Sequence, residues 1–293
     1  MNNKSKAFSI VELLTVIAVI SILLGLTLPA LNEAKMQAKV MSVRADMKTL
    51  EMGLENFAGD MGFYPNSQQR PALVNDALPN PNLMKDQGAH ILFEALVGLD
   101  QFGYQKDHFY GINPQGVPYK PGPPPRFDPV PTKRYDLYVQ LDPSKVSSLD
   151  KCYPDMVWNN TNPVFVDTLD VDRPRPILYY RANKNNHWLA HATMPTIYEY
   201  ADNYEITRQS PAFDPTFADN GTPWTIARQY FNYSIHNPDT GINIENTPPF
   251  QYKTARPYNP ETYILISAGR DGVFGPNPNE NYENDDIYNF QRK

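Results

Sequence analysis

Cysteine is nearly absent. Cys152 is the only one in 293 residues, so no intramolecular disulfide can staple the chain, and packing, with or without a metal, must hold it together. In an exported chain the lone thiol is expected to be buried rather than linked to another molecule. Basic charge is also short, with 26 Lys and Arg against 32 Asp and Glu and a net charge of −6. An acidic surface is a poor general binder of phosphate backbones, and no nucleic acid partner is expected. A G-x-S-x-G elbow, a Walker phosphate loop and a Cys-rich zinc pattern are all missing. His187 and His191 stand four apart in HWLAH, but Trp188 occupies the place of the zincin Glu base, so they read as loop or surface histidines. No internal repeat is evident, and nothing in these patterns predicts an enzyme.

What the chain does have is one long apolar run, AFSIVELLTVIAVISILLGLTLPAL, from Ala7 to Leu31. Between Phe8 and Leu31 the only ionisable side chain is Glu12. As an α-helix at ~1.5 Å per residue the run covers about 36 Å, enough to cross a hydrocarbon core of about 30 Å with some tilt. A polar head, Met1 to Ala7 with Lys4 and Lys6, stops abruptly against Phe8, unlike a signal peptide that ends its shorter apolar stretch at a small-residue cut site. A carboxylate this far into an apolar helix costs at least ~2.5 kcal/mol if unpaired, so Glu12 is read as functional and expected to meet a partner.

This arrangement resembles the N-terminus of type IV pilin-like proteins: a short basic leader, a cut before Phe, a Glu at the fifth mature position and an apolar helix. The resemblance implies that prepilin peptidase cuts between Ala7 and Phe8 and methylates the new amine. It further implies that Glu12 attracts the N-terminal amine of a neighbouring subunit, and that Pro29 is the helix-weakening proline such chains carry. Ala7 stands where these proteins usually have Gly. Physics supports the pairing independently, because an amine and a carboxylate attract more strongly in a low-dielectric bundle than in water, and the pair would set register more than it adds stability. Removing the leader would take away Lys4 and Lys6 and leave a net charge of −8.

Beyond Leu31 the helix is expected to continue to about Ala58, with Val40, Val43, Met47, Leu50, Leu54, Phe57 and Met61 at alternating spacings of three and four. Gly59 and Gly62 weaken it and Tyr64-Pro65 ends it. The stripe is expected to pack on the chain's own body. Together with GDMGFYPNSQQ (Gly59 to Gln69), it resembles the major, G-type pseudopilin of type II secretion, in which a turn of this kind leads to a short helix on the spine. His90 to Val97 is expected to be that helix. The predicted organisation is a leader 1–7, a transmembrane helix 8–31, an amphipathic spine 32–62 and an extracytoplasmic body 63–293, with an insertion over 98–260. The fold class is α+β: a long N-terminal helix on a small antiparallel sheet with long Pro-rich loops. The 29 prolines are about twice the usual ~5% share.

Strands are expected at Asp136–Leu141, Asn162–Leu169, Ile177–Ala182, Ile197–Tyr200 and, most clearly, Tyr263–Ala268, with a short helix near Thr225–Tyr230. The C-terminal stretch 267–290 gathers hard oxygen donors. A strand delivers Ser267, a Gly-flanked turn presents Asp271, and Asn284, Asp285 and Asp286 return before Ile287. That donor set suits Ca²⁺, and it resembles the terminal calcium loop of G-type pseudopilins. Asp271 and Asp286 are the leading ligands, Asp285 comes next, and Asn284 stands as a neutral substitute. Structural Ca²⁺ would hold the tail on the body.

These observations together predict a bitopic subunit of a type II secretion pseudopilus or type IV pilus-like filament. It would be stored in the bacterial inner membrane with its body outside and assembled with copies of itself by an inner-membrane platform and its ATPase. Two alternatives remain open: an adhesive or DNA-uptake minor pilin whose enlarged middle binds the target, and a membrane-tethered enzyme or sugar-binding module that borrows the helix.

Overall fold

A computed structural model describes residues 10–69, 85–99, 101–104, 135–156, 158, 160–170, 172–185, 197–207, 232–233, 256–275 and 285–290. The chain divides into two units, Met1–Ser42 and Val43–Lys293. Within the first, the backbone from Ile10 onward is entirely helical, the long run of Leu, Ile, Val and Ala carrying the helix through Gly25 and Pro29. The helix α1 spans Ile10–Met61 as one element and carries Pro29 inside it. Thr15 Oγ1 bonds to the carbonyl of Glu12 and Ser21 Oγ to that of Ile17, so these hydroxyls are satisfied by the helix itself.

In the second unit the C-terminal turns of α1 bury Val43, Met47, Leu50, Leu54 and Phe57, the stripe expected from their spacing. The N–H of Gly62, at φ 78°, donates to the Ala58 carbonyl and closes the helix. The second helix, α2 (Gly88–Val97), is buried all round and slightly longer than the expected His90 to Val97. Its start is set by His90, whose Nδ1 accepts from the Gln87 N–H, and by Asn203, whose Oδ1 accepts from Ala89 N–H. Then follow β1 (Val146–Ser148), α3 (Leu149–Cys152), β2 (Pro163–Phe165), β3 (Leu178–Arg181) and α4 (Tyr204–Thr207). The last strands are β4 (Asn232–Tyr233), β5 (Arg256–Pro257), β6 (Tyr263–Ser267) and β7 (Ile287–Tyr288).

Three antiparallel sheets result: β1 with β2, β4 with β5, and a three-stranded sheet in the order β3, β6, β7. All five residues of β6 are buried. A strand flanked on both edges and covered on both faces needs no polar side, so YILIS reads as a continuous apolar run. Tyr179 and Tyr180 of β3 are also buried, the Tyr179 hydroxyl donating to the Pro65 carbonyl at 2.6 Å. The fold is thus α+β, a long apolar-headed helix with small antiparallel sheets.

Two expected strands are not strands. Asp136–Leu141 runs irregularly because its main chain serves α2 and α1 rather than a ladder. Tyr138 N–H donates to the Leu96 carbonyl at 2.9 Å, its hydroxyl bonds Asp60 at 2.9 Å, and Val139 enters the core. Ile197–Tyr200 is drawn into a turn that feeds a 3₁₀ segment at Tyr200–Asn203. There the Tyr198 hydroxyl is held between the carbonyls of Tyr258 and Asn259, and the main chain makes one bond, from Asn183 N–H to the Ile197 carbonyl at 2.7 Å just beyond β3, rather than a ladder. Asn162–Leu169 shortens to β2, extended by a single bridge from Val166 to Pro176. The helix expected near Thr225–Tyr230, and His187 with His191, lie outside the described residues. Cys152 is buried, and burial pushes its thiol up to about 12, which makes it an inert core group.

Candidate assembly segment and C-terminal carboxylate loop

The first candidate site is the beginning of α1. Glu12 sits in its first turn, where a negative charge complements the helix dipole. Around it the apolar side chains are open: Val11 is 65 % exposed, Leu13 58 % and Val16 51 %. By length and composition α1 can cross a membrane, and the apolar window is not buried within the chain. Ala7 and Phe8, the predicted cut site, lie outside the described residues.

The second candidate is the turn after β6. Ser267 is buried, and its hydroxyl donates to Asp167 Oδ2 at 2.6 Å, which ties the end of the strand to the segment before β3. Gly269 follows at φ 69°, and a Cβ there would lie 2.5 Å from the Asp285 carbonyl oxygen and 2.5 Å from its Oδ1. Only glycine allows the returning tail this close. The three described acids then organise one another's backbone. Asp285 Oδ2 accepts from the N–H of Arg270 at 2.6 Å and of Asp271 at 3.3 Å. Asp271 Oδ1 accepts from Val273 N–H at 2.8 Å. Asp286 Oδ2 accepts from Gly275 N–H at 2.9 Å and from the Tyr288 hydroxyl at 3.0 Å. The pairing of β6 with β7 and the close approach at Gly269 thus bring Asp271, Asp285 and Asp286 to one loop, and Asn284 lies outside the described residues.

Burial pushes the Asp286 carboxyl up to about 8, against hydrogen bonds from Gly275 and Tyr288, and the charges of Asp285 and Asp271 push it the same way. Asp285 Oδ1 is buried without a hydrogen-bond partner among the described residues. A buried carboxylate oxygen of this kind is what a hard cation would satisfy. As placed, no group of three His, Cys, Asp or Glu side chains among the described residues encloses a single metal position.

Sequence reading missed a set of buried polar groups elsewhere in the second unit. Asp202 accepts a short bond from Ser67 Oγ, which in turn accepts from Arg181 N–H at 2.9 Å. Asp86 Oδ1 accepts from the amides of Asn160 at 2.9 Å and Asn162 at 2.8 Å. Ser67 and Asp202 lie 135 residues apart, so no local pattern could have paired them.

Residues 2–28 match the family model described as the prokaryotic N-terminal methylation motif. No curated protein and no solved structure matches the chain. The N-terminus therefore carries a pilin-like methylation signal, which supports a pilin-like protein anchored through its apolar helix and processed by prepilin peptidase.

Proposed function

We propose that this chain is a structural subunit of a type II secretion pseudopilus or type IV pilus-like filament. Prepilin peptidase cuts it between Ala7 and Phe8, and Glu12 then receives the freed amine of the neighbouring copy. The observation that carries the reading is the coincidence of the methylation motif over residues 2–28 with a helix whose apolar residues from Ile10 to Leu31 have no cover among the described residues. Lipid covers them before assembly, and sister helices cover them after it. At about 4 Å an amine and a carboxylate attract by ~1 kcal/mol in water and by ~4 kcal/mol at an effective dielectric of about 20, so the pair gains its strength inside the bundle.

In this reading an inner-membrane platform and its ATPase drive extrusion, the body stands outside the inner membrane, and the role is structural rather than catalytic. The intact mass of the full chain extracted from membranes tests it. Loss of residues 1–7 with one added methyl group is the expected result, and a chain that keeps Met1 overturns it. Glu12→Ala should abolish filament assembly while leaving the body folded.

A structural Ca²⁺ taken by Asp271, Asn284, Asp285 and Asp286 is supported by the buried, unsatisfied Asp285 Oδ1, and its binding would have to draw these carboxylates closer than they stand. A cation bound only by the folded state stabilises it by ~2.7 kcal/mol at a hundredfold excess over the dissociation constant. Melting of the full chain with and without a chelator should show a lower midpoint in chelator, and coincident curves would remove the ion.

A further inference from the structure

A cavity of about 310 Å³ opens beside the carboxylate loop, between the end of α3 and the turn that follows β6. That is the small end of the usual ligand-pocket range, about 300–1,000 Å³. Its walls are of two kinds. Tyr153, Met156 and Phe274 give it apolar surface, while Arg173 and Arg175 bring two guanidinium groups. Asp155, the only carboxylate on the wall, is exposed to solvent.

The state of Arg175 is the unusual feature. Its Nη1 donates to the Cys152 carbonyl at 3.1 Å, and its guanidinium carbon lies 4.9 Å from the centre of the Tyr153 ring. These contacts fix the plane of the group. Yet its Nε is buried with no hydrogen-bond partner among the described residues, and no described carboxylate forms an ion pair with it. Asp167 is near enough for its charge to be felt, but its oxygens are taken by Ser267 Oγ and by the main-chain N–H groups of Leu169 and Arg175. Arg173 likewise has no ion pair with a described residue and stands exposed at the rim. With Nε closed off against Gly272 and Nη1 given to the Cys152 carbonyl, Arg175 offers an oxyanion in the cavity its fixed charge and its remaining N–H groups, beside the exposed Arg173.

We propose that this cavity binds a small carboxylate with an apolar body, its head taken by Arg175 and Arg173 and its body by Tyr153, Met156 and Phe274. Such a group has two sources, a free aromatic acid or the carboxylate of a peptide terminus, and the recognition chemistry is the same for both. The site is independent of Glu12 and of the filament reading, since it lies wholly among residues 152–175 and 272–274.

The test uses the full chain in detergent, titrated by calorimetry with benzoate, with N-acetylphenylalanine and with benzamide as the uncharged counterpart of benzoate. Saturable binding of either acid, at least tenfold tighter than benzamide, is expected, and the tighter acid identifies the source. Arg173→Ala, at an exposed position that leaves the fold intact, should weaken acid binding about tenfold and leave benzamide unchanged. Arg175→Lys keeps the charge but loses the planar fork, and it should weaken binding further. The proposal fails if neither acid saturates, if benzamide binds as well as benzoate, or if Arg173→Ala binds like the parent.

Discussion

Two apolar stretches of this chain use the same residue types and meet opposite surroundings. From Ile10 to Leu31 the large side chains are open, with Ile17 48 % exposed and Leu26 71 %. In β6 the side chains of Ile264, Leu265 and Ile266 are fully covered. Burying one such side chain contributes about 1.5–3 kcal/mol, so the first stretch leaves a large favourable transfer unrealised while the second has realised it within the body. The difference teaches that β6 has found its cover within the body, whereas the start of α1 finds none among the described residues, and the proposed filament supplies it from lipid or from the same helix of another copy.

The strongest way to break that contrast is one substitution made in both places. Ile264→Lys puts a charge into the centre of the three-stranded sheet, where an unpaired buried ion costs several kcal/mol, and the body should no longer fold, as read by loss of cooperative melting and of protease resistance. Ile17→Lys should instead cost about 2.5–3.5 kcal/mol of membrane insertion and shift the protein out of the membrane fraction with the body's melting midpoint unchanged. If Ile17→Lys lowered the midpoint as Ile264→Lys does, the two stretches would be parts of one core and the contrast would be lost.

A smaller effect sharpens the description of the body. Gly88, the first residue of α2, lies so close to β3 that a Cβ would sit 2.3 Å from the Tyr179 carbonyl oxygen and 2.9 Å from Asn203 Nδ2. The obstacle includes main chain, and Asn203 is itself fixed by bonds to Tyr179 O at 2.8 Å and Ala89 N at 3.0 Å. Gly88→Ala should therefore destabilise the body by about 1–3 kcal/mol, measured by denaturant unfolding. Gly25→Ala, in α1 where a Cβ meets nothing within 4 Å, should leave unfolding unchanged.

How far each region was legible follows from the range of the forces that shape it. The apolar run, Glu12 and the amphipathic stripe from Val40 to Met61 are signals within one helix, and the structure buries the stripe from Val43 to Phe57 while its two ends, Val40 and Met61, stay half-buried. The strands at Leu178–Arg181 and Tyr263–Ser267 were visible because buried strands, β6 at the centre and β3 at the edge, concentrate β-branched and aromatic residues. Asp136–Leu141 and Ile197–Tyr200 have the same local composition and still do not form strands, since whether an extended segment finds a ladder depends on a partner far away in sequence. At the carboxylate loop, Asp271 and the Asp285–Asp286 pair were recognisable from type and spacing. The role of Gly269 in admitting Asp285 was visible only in the approach distance. Asp86, Asp167 and Asp202 were invisible for the complementary reason: a buried acid is marked by distant Asn and Ser partners, not by its neighbours in the chain.

Those buried acids provide the smallest and most specific test, because only the finished body can shift a titration this way. Burial pushes Asp202 up to about 7 and Asp167 up to about 6, in each case against a stabilising hydrogen bond from a serine, Ser67 or Ser267. Both carboxyls hold a proton more tightly folded than unfolded, where the value is ordinary at about 4. Between pH about 4 and about 7 the folded state therefore binds more protons than the unfolded one, and stability should fall as pH rises through that window. Above about pH 7 these two groups contribute no further slope. Asp202→Asn keeps an oxygen for the Ser67 hydroxyl but cannot ionise, so it should remove the slope from about 6 to about 7 and lessen that from about 4 to about 6 to the part due to Asp167. Denaturant midpoints of parent and variant across pH 4 to 8 measure this, and equal slopes in both chains would mean that Asp202 is not closed off from water.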